Sequence, residues 1–226
     1  MTVVRAPRAE RLHLPGPSGA LEALIETPLN DQGEAASTPL AFAVICHPHP
    51  LYGGTLDNKV VHTLARAFNQ LGAPTIRFNF RGVGASAGAY DEGRGETEDA
   101  FAAIAFGRNR WPDAPLWLAG FSFGGAVAVR AAGSAQPGRL VLVAPAITRI
   151  GVNGPATPTC PWLIVQGDAD DVVAPAEVLE WVQTLTPAPE VTVLRGAGHF
   201  FHGRINELRD AVLAFMARAA QATRAA

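Results

Sequence analysis

From about residue 40 onward, short apolar runs alternate with amphipathic segments, and this rhythm limits what the chain can fold into. Leu40 to Cys46 (LAFAVIC) is a continuous apolar run, the pattern of a strand covered on both faces. Asn58 to Leu71 follows, with Val60, Val61, Leu64, Phe68 and Leu71 on one helical stripe, and Gly72 supplies a stop just past its end. Thr75 to Phe80 reads as the next strand and Glu96 to about Phe106 as the next helix. Leu116 to Ala119 is then a strand, followed by an Ala/Val-rich helix through Ala132. Leu140 to Val143 and Trp162 to Val165 are strands, Ala176 to Leu185 a helix, Val191 to Leu194 the last strand. A final helix starts near Arg204. Such alternation specifies a mostly parallel sheet with helices on both sides. The first 28 residues differ: Arg11 to Leu14 and Leu21 to Ile25 flank Pro15-Gly16-Pro17-Ser18-Gly19, which reads as an antiparallel hairpin. The expectation is an α/β fold of about eight strands, the first two antiparallel.

At 226 residues, 48% hydrophobic and 17% charged, the chain fits one folded domain spanning 1–226 and does not fit disorder. Eighteen Lys plus Arg against 20 Asp plus Glu leave a net charge of −2 with no basic run. That balance argues against nucleic acid or an anionic membrane as a partner. Cys46 and Cys160 suit a reducing compartment and give no disulfide framework. The N-terminal stretch lacks the apolar core of a secretory signal, and no apolar stretch approaches the roughly 18 residues of a membrane span. The expected location is cytoplasmic.

Only five serines are present, and two of them sit in the pattern G-x-S-x-G: Gly84-Ala85-Ser86-Ala87-Gly88 and Gly120-Phe121-Ser122-Phe123-Gly124. The motif carries chemistry when a strand precedes it and a helix follows, because that sharp turn lifts the hydroxyl clear of the sheet. Ser122 meets the requirement, with PLWLA before it and GGAVAVRAA after. Ser86 lies beyond a strand end and is followed by loop, so it reads as a loop serine.

A serine hydroxyl needs a base to take its proton. Of six histidines, His13 falls in the hairpin and His62 within the first long helix. His199 follows the last strand directly, in Gly196-Ala197-Gly198-His199, at the sheet edge where ligands gather in parallel sheets. It is preferred to His202, three residues further on. The imidazole in turn needs an anion to hold its tautomer. Gln166-Gly167-Asp168-Ala169-Asp170-Asp171 follows the penultimate strand. Asp168, right after the glycine, suits turn capping; Asp170 is preferred to Asp171 as the triad acid. The chain order Ser…Asp…His matches this architecture.

These residues resemble the α/β-hydrolase fold superfamily, and within it the small, lidless bacterial hydrolases related to dienelactone hydrolases. The marks are Cys46-His47-Pro48-His49-Pro50 with the following Leu51 to Lys59, Phe80-Arg81-Gly82-Val83-Gly84-Ala85-Ser86, the Ser122 elbow, Gly167-Asp168-Ala169-Asp170, and Gly198-His199. The resemblance implies an oxyanion hole of two backbone N–H groups. One would come from Phe123, after the nucleophile. The other would come from the loop after Cys46, where Pro48 and Pro50 have no N–H to give; His49 is preferred, with Leu51 as the alternative. True dienelactone hydrolases carry cysteine as nucleophile, so serine here favours general ester hydrolysis. About 14 residues separate Ala146 from Cys160, too few for the lid that larger lipases insert.

The sequence thus predicts a serine hydrolase acting on small, uncharged carboxylic esters, with Ser122, His199 and Asp170 as triad. Thioester or peptide hydrolysis on the same triad, and a catalytically silent binding module, are the alternatives. No cofactor or metal is expected. His47 and His49 have no third ligand at metal spacing, and the Arg81–Gly84 stretch opens no helix that could bind a nucleotide. The expected partner is a small-molecule ester; a homodimer is left open by the sequence.

Overall fold

A computed structural model describes residues 6–148 and 157–225. Among these residues five α-helices and eight strands follow one another as β1 (Arg8–Gly16), β2 (Gly19–Thr27), β3 (Phe42–Cys46), α1 (Lys59–Gln70), β4 (Thr75–Phe78), α2 (Arg94–Arg110), β5 (Leu116–Phe121), α3 (Phe123–Ala135), β6 (Arg139–Val143), β7 (Trp162–Gly167), α4 (Pro175–Gln183), β8 (Glu190–Leu194) and α5 (Ile205–Ala225). The strands form one sheet in the order β1-β2-β4-β3-β5-β6-β7-β8. Strands β3 to β8 run parallel, while β2 pairs antiparallel with both β1 and β4.

The apolar runs are continuous because both faces of the sheet are covered. In β3, Phe42, Val44 and Cys46 face one core, shared with α2, α3 and α4 residues such as Ile104, Val127 and Val178. Ala43 and Ile45 face the other, against Val61, Leu64 and Phe68 of α1 and Leu208 and Val212 of α5. The period-2 alternation of side chains along a strand makes this division automatic. Trp162 and Trp181 pack edge to face in the first core, their ring centroids 5.9 Å apart.

Several boundaries differ from the sequence expectation. The hairpin strands extend to Gly16 and Gly19, leaving only Pro17 and Ser18 as the turn. Strand β4 ends at Phe78; just beyond it the Phe80 N–H donates to His47 Nε2 at 3.0 Å, and Asn79 Oδ1 accepts the Leu56 N–H at 2.8 Å. Asn58 caps α1, its Oδ1 accepting the N–H of Val60 at 2.9 Å. Asp57 does not share that role; it meets Arg11 and Arg77 instead. The connection from β6 to β7 occupies residues 144–161, too short for a lid domain, although its 149–156 segment lies outside the described residues. Among the described residues no helix is long and apolar enough to cross a membrane.

Candidate active site

The C-terminal ends of β3, β5, β7 and β8 converge on one rim. Ser122 stands between β5 and α3 with φ 56° and ψ −119°, a backbone conformation that L residues other than glycine rarely adopt. The turn is held from several sides: Ser122 N–H donates to Val143 O at 2.9 Å, and Ser122 O accepts the Gly125 and Ala146 N–H groups. The flanking glycines are there for space. A Cβ on Gly120 would lie 2.1 Å from Gly124 O, and one on Gly124 would lie 2.3 Å from the carbonyl oxygens of Cys46 and His47. The start of α3 therefore presses directly on the loop leaving β3.

His199 comes from the loop after β8, and its Nε2 accepts the Ser122 hydroxyl at 3.0 Å. Its Nδ1–H donates to Asp170 Oδ2 at 2.8 Å. The other carboxylate oxygen, Oδ1, accepts the N–H groups of Val172 at 2.9 Å and Val173 at 2.8 Å. All three side chains are buried. Burial pushes the Asp170 carboxyl up, but the bonds from His199, Val173 and Val172 outweigh it and hold the group below its ordinary value. The carboxylate is thus charged at neutral pH. Phe121 lies beside the His199 ring at 4.9 Å between centroids.

The loops carrying these groups are tied to each other. Asp168 Oδ1 accepts the Gly196 N–H at 2.6 Å, joining the turn after β7 to the turn after β8. Asp168 therefore caps a turn, though in the neighbouring loop. A Cβ on Gly167 would lie 2.1 Å from Ala197 O, so only glycine admits this approach. Asp171 points to solvent, as does His202, which stacks on Phe200. His13 and His62 are also exposed and belong to the hairpin and α1.

On the β3 side, His47 and His49 part ways. His47 is fully buried; its Nδ1–H donates to Pro48 O at 2.6 Å, and its Nε2 accepts the Phe80 N–H at 3.0 Å. These partners fix the neutral Nδ1–H tautomer, and burial holds the ring near a pKa of about 4. His49 faces the cavity within an aromatic cluster, its ring 4.6 Å from Tyr52, 5.0 Å from Tyr90 and 4.9 Å from Phe123. Its Nδ1 accepts the Leu51 N–H at 3.2 Å, so the Leu51 donor is engaged within the loop, and Leu51 itself is exposed. Phe123 opens α3, where a backbone N–H has no partner within the helix.

A cavity of about 380 Å³ opens over Ser122 and is walled by His49, Tyr52, Phe123, Val172 and Phe200, with Asn58 and His199 also at its surface. No carboxylate, lysine or arginine lines it among the described residues. No motif in the sequence assigns Tyr52, Tyr90 or Phe200 to the site. The available signal was a bulky apolar residue inside Gly- and Pro-rich loops, which at Tyr52 (80% exposed) and Phe200 (48% exposed) marks a rim rather than a core. Arg81 is consumed by a buried bidentate pair with Asp99, at 3.0 and 2.8 Å, which fastens the loop after β4 to α2.

A sequence model of the serine aminopeptidase S33 family matches residues 44–158, which include Ser122 and end before Asp170 and His199. A lidless α/β serine hydrolase from Xanthomonas campestris is 38% identical, with 95% of this chain and 96% of that one covered and a TM-score of 0.87. An α/β serine hydrolase homologue from Coxiella burnetii is 42% identical over 95% of this chain and 97% of that one, with a TM-score of 0.84. An uncharacterized protein of Rickettsia prowazekii is 31% identical, over 89% of this chain and 86% of its own length. An eight-stranded sheet of this topology, an elbow serine between β5 and α3, and likeness over 95% of the chain to α/β serine hydrolases agree: the chain belongs to the α/β-hydrolase superfamily of serine hydrolases.

Proposed function

We propose that the protein hydrolyses small, uncharged carboxylic esters through an acyl-enzyme on Ser122. The observation that carries this reading is the unbroken hydrogen-bond chain from Ser122 Oγ through His199 to Asp170 at the floor of a cavity. Ser122 Oγ attacks the ester carbonyl as His199 Nε2 takes its proton. The developing oxyanion is received by the Phe123 and His49 N–H groups, each such donor contributing about 3 kcal/mol to the transition state. His199 then protonates the departing alcohol, and water attacks the acyl-enzyme with His199 again as base. Asp170 keeps the imidazole in the Nδ1–H tautomer and stabilises its charged form.

The family model describes aminopeptidases, so peptide hydrolysis is the competing reading. An aminopeptidase must hold a substrate ammonium, which calls for a carboxylate at the cavity wall. The described lining offers Tyr52, Asn58, Val172 and Phe200 instead. That neutral, largely aromatic surface favours an uncharged acyl group. The two unpaired thiols, Cys46 and Cys160, favour a cytoplasmic setting.

The test is an acyl series of p-nitrophenyl esters beside aminoacyl p-nitroanilides, with fluorophosphonate labelling of the intact protein. Ester turnover that prefers short acyl groups, together with labelling lost in Ser122→Ala, is expected. Anilide turnover exceeding ester turnover would replace this reading by the peptidase one. A folded protein that neither labels nor turns over any ester is a binding module.

A further inference from the structure

Strand β7 reads Trp162-Leu163-Ile164-Val165-Gln166-Gly167, and every residue in it is buried. Gln166 is the polar exception, fully enclosed on the face it shares with Trp162 and Ile164. Its amide nitrogen lies 3.2 Å from Asp170 Oδ2, 3.2 Å from Gly167 O and 3.4 Å from Val173 O. Its amide oxygen is buried without a hydrogen-bond partner. Reversing the amide would aim that oxygen at three others, so the nitrogen-inward orientation is dictated by its surroundings. An enclosed carbonyl without a donor is costly, and leucine or methionine would fill the same space without that cost. Packing therefore does not account for glutamine at this position.

We propose that Gln166 is a positioning residue of the reaction: its amide holds the Asp170 carboxylate so that Oδ2 faces Nδ1 of His199. The inference rests on the reading of Ser122, His199 and Asp170 given above. The Val172 and Val173 N–H groups anchor Oδ1 alone. A donor on Oδ2 fixes the plane of the carboxylate, and a bond to an ionised acceptor is the stronger kind. When the Ser122 proton moves to His199, Oδ2 shares its negative charge between the imidazolium and the Gln166 amide. Without that amide the full charge falls on the imidazolium, which then holds its proton more tightly.

The charged surroundings are few. His199 is the group that faces the Asp170 carboxylate; Asp168 and Asp171 on its own turn are exposed, Asp168 being bonded to Gly196. Glu177 of α4 accepts from Thr148, and Arg204, before α5, pairs with Glu207. Toward α3, Asp170 is followed by His199 and then by the His199–Ser122 hydrogen bond.

Gln166→Met and Gln166→Leu, quantified by fluorophosphonate titration of active sites, test the proposal. In both, kcat is expected to fall about tenfold with KM little changed, and the acid limb of the kcat/KM profile to move to higher pH. A purely structural glutamine would lower thermal stability and leave that limb in place. The same question is put to the unaltered protein by following its Gln166 side-chain amide and His199 ring resonances with pH. The amide is expected to shift at the midpoint of His199 titration. An amide that ignores that titration, or variants with an unmoved acid limb, overturns the proposal. Wild-type protein that never labels at Ser122 overturns the esterase reading instead, and the resonance coupling still decides whether Gln166 holds Asp170.

Discussion

The hydroxyl of Ser86 donates to the carbonyl oxygen of Asn79 at 2.7 Å and accepts the Glu22 N–H at 2.9 Å. The second G-x-S-x-G is therefore a stitch that ties the loop after β4 to the N-terminal hairpin. Ser86→Ala removes a partner from a buried carbonyl and from a strand N–H, which should cost about 1–3 kcal/mol of stability. Ester turnover per active site should be unchanged at temperatures where the variant is folded, and fluorophosphonate labelling should remain on Ser122. Urea denaturation alongside a labelling gel checks both halves.

Ser122 carries backbone strain that fits its proposed role as nucleophile. Its φ of 56° and ψ of −119° lie where only glycine is at ease. Ser122→Ala and Ser122→Gly both delete the proposed nucleophile and should both abolish turnover. They should differ in stability: glycine relieves strain, less its larger unfolded-state entropy, for a net gain of about 1 kcal/mol over alanine. For a domain of this length that is a difference of roughly 2–4 °C in Tm. Equal melting temperatures for the two variants would show that the elbow is not strained.

The topology was readable because the parallel strands are buried on both faces and so appear as apolar runs, as in LAFAVIC for β3. Ser122 was readable because its strand and helix are local. Its partner His199 is marked in the sequence only by its place at a sheet edge, and the 3.0 Å contact across 77 residues of sequence is tertiary information. What the sequence did not disclose were contacts set by loop shape. His49 has Tyr90 at 3.3 Å, from a loop 41 residues away, and no periodicity announces such a meeting. The same holds for Asp57, one residue before the Asn58 cap, which pairs with Arg11 and Arg77. Gln166 follows the apolar run Trp162 to Val165 in sequence, and its meeting with Asp170 is likewise set by loop shape.

Close approach of α3 to the loop after β3 predicts an asymmetry between adjacent glycines. Gly124→Ala would place Cβ 2.3 Å from two backbone oxygens, Cys46 O and His47 O, neither of which can move without displacing β3. Gly125→Ala would bring Cβ to 3.0 Å from Pro145 Cβ, a contact that a small shift relieves. We expect Gly124→Ala to lose about 3 kcal/mol or more, and Gly125→Ala to lose about 1 kcal/mol. Turnover should fall far more in Gly124→Ala, because the displaced loop carries the His49 N–H of the proposed oxyanion hole. Chemical denaturation with kcat measured on titrated sites separates the two.

The buried His47 makes stability fall in acid over a defined window. Its pKa is held down to about 4 by burial, against about 6.5 in the unfolded chain. The unfolded state therefore binds a proton that the folded state refuses between these values. Stability contributed by the neutral ring is fully present above pH 6.5 and is lost progressively as pH falls toward 4, by about 3 kcal/mol in total. Protonation would also take Nε2 from the Phe80 N–H, since a charged ring has no acceptor. His47→Gln keeps one donor and one acceptor but cannot titrate. It should be less stable than the parent at pH 7, where the ring fits its partners better, and its stability should vary less between pH 6.5 and 4. Urea midpoints at half-unit pH steps measure this. Parallel curves for the two proteins across that window would mean that His47 does not drive the acid response.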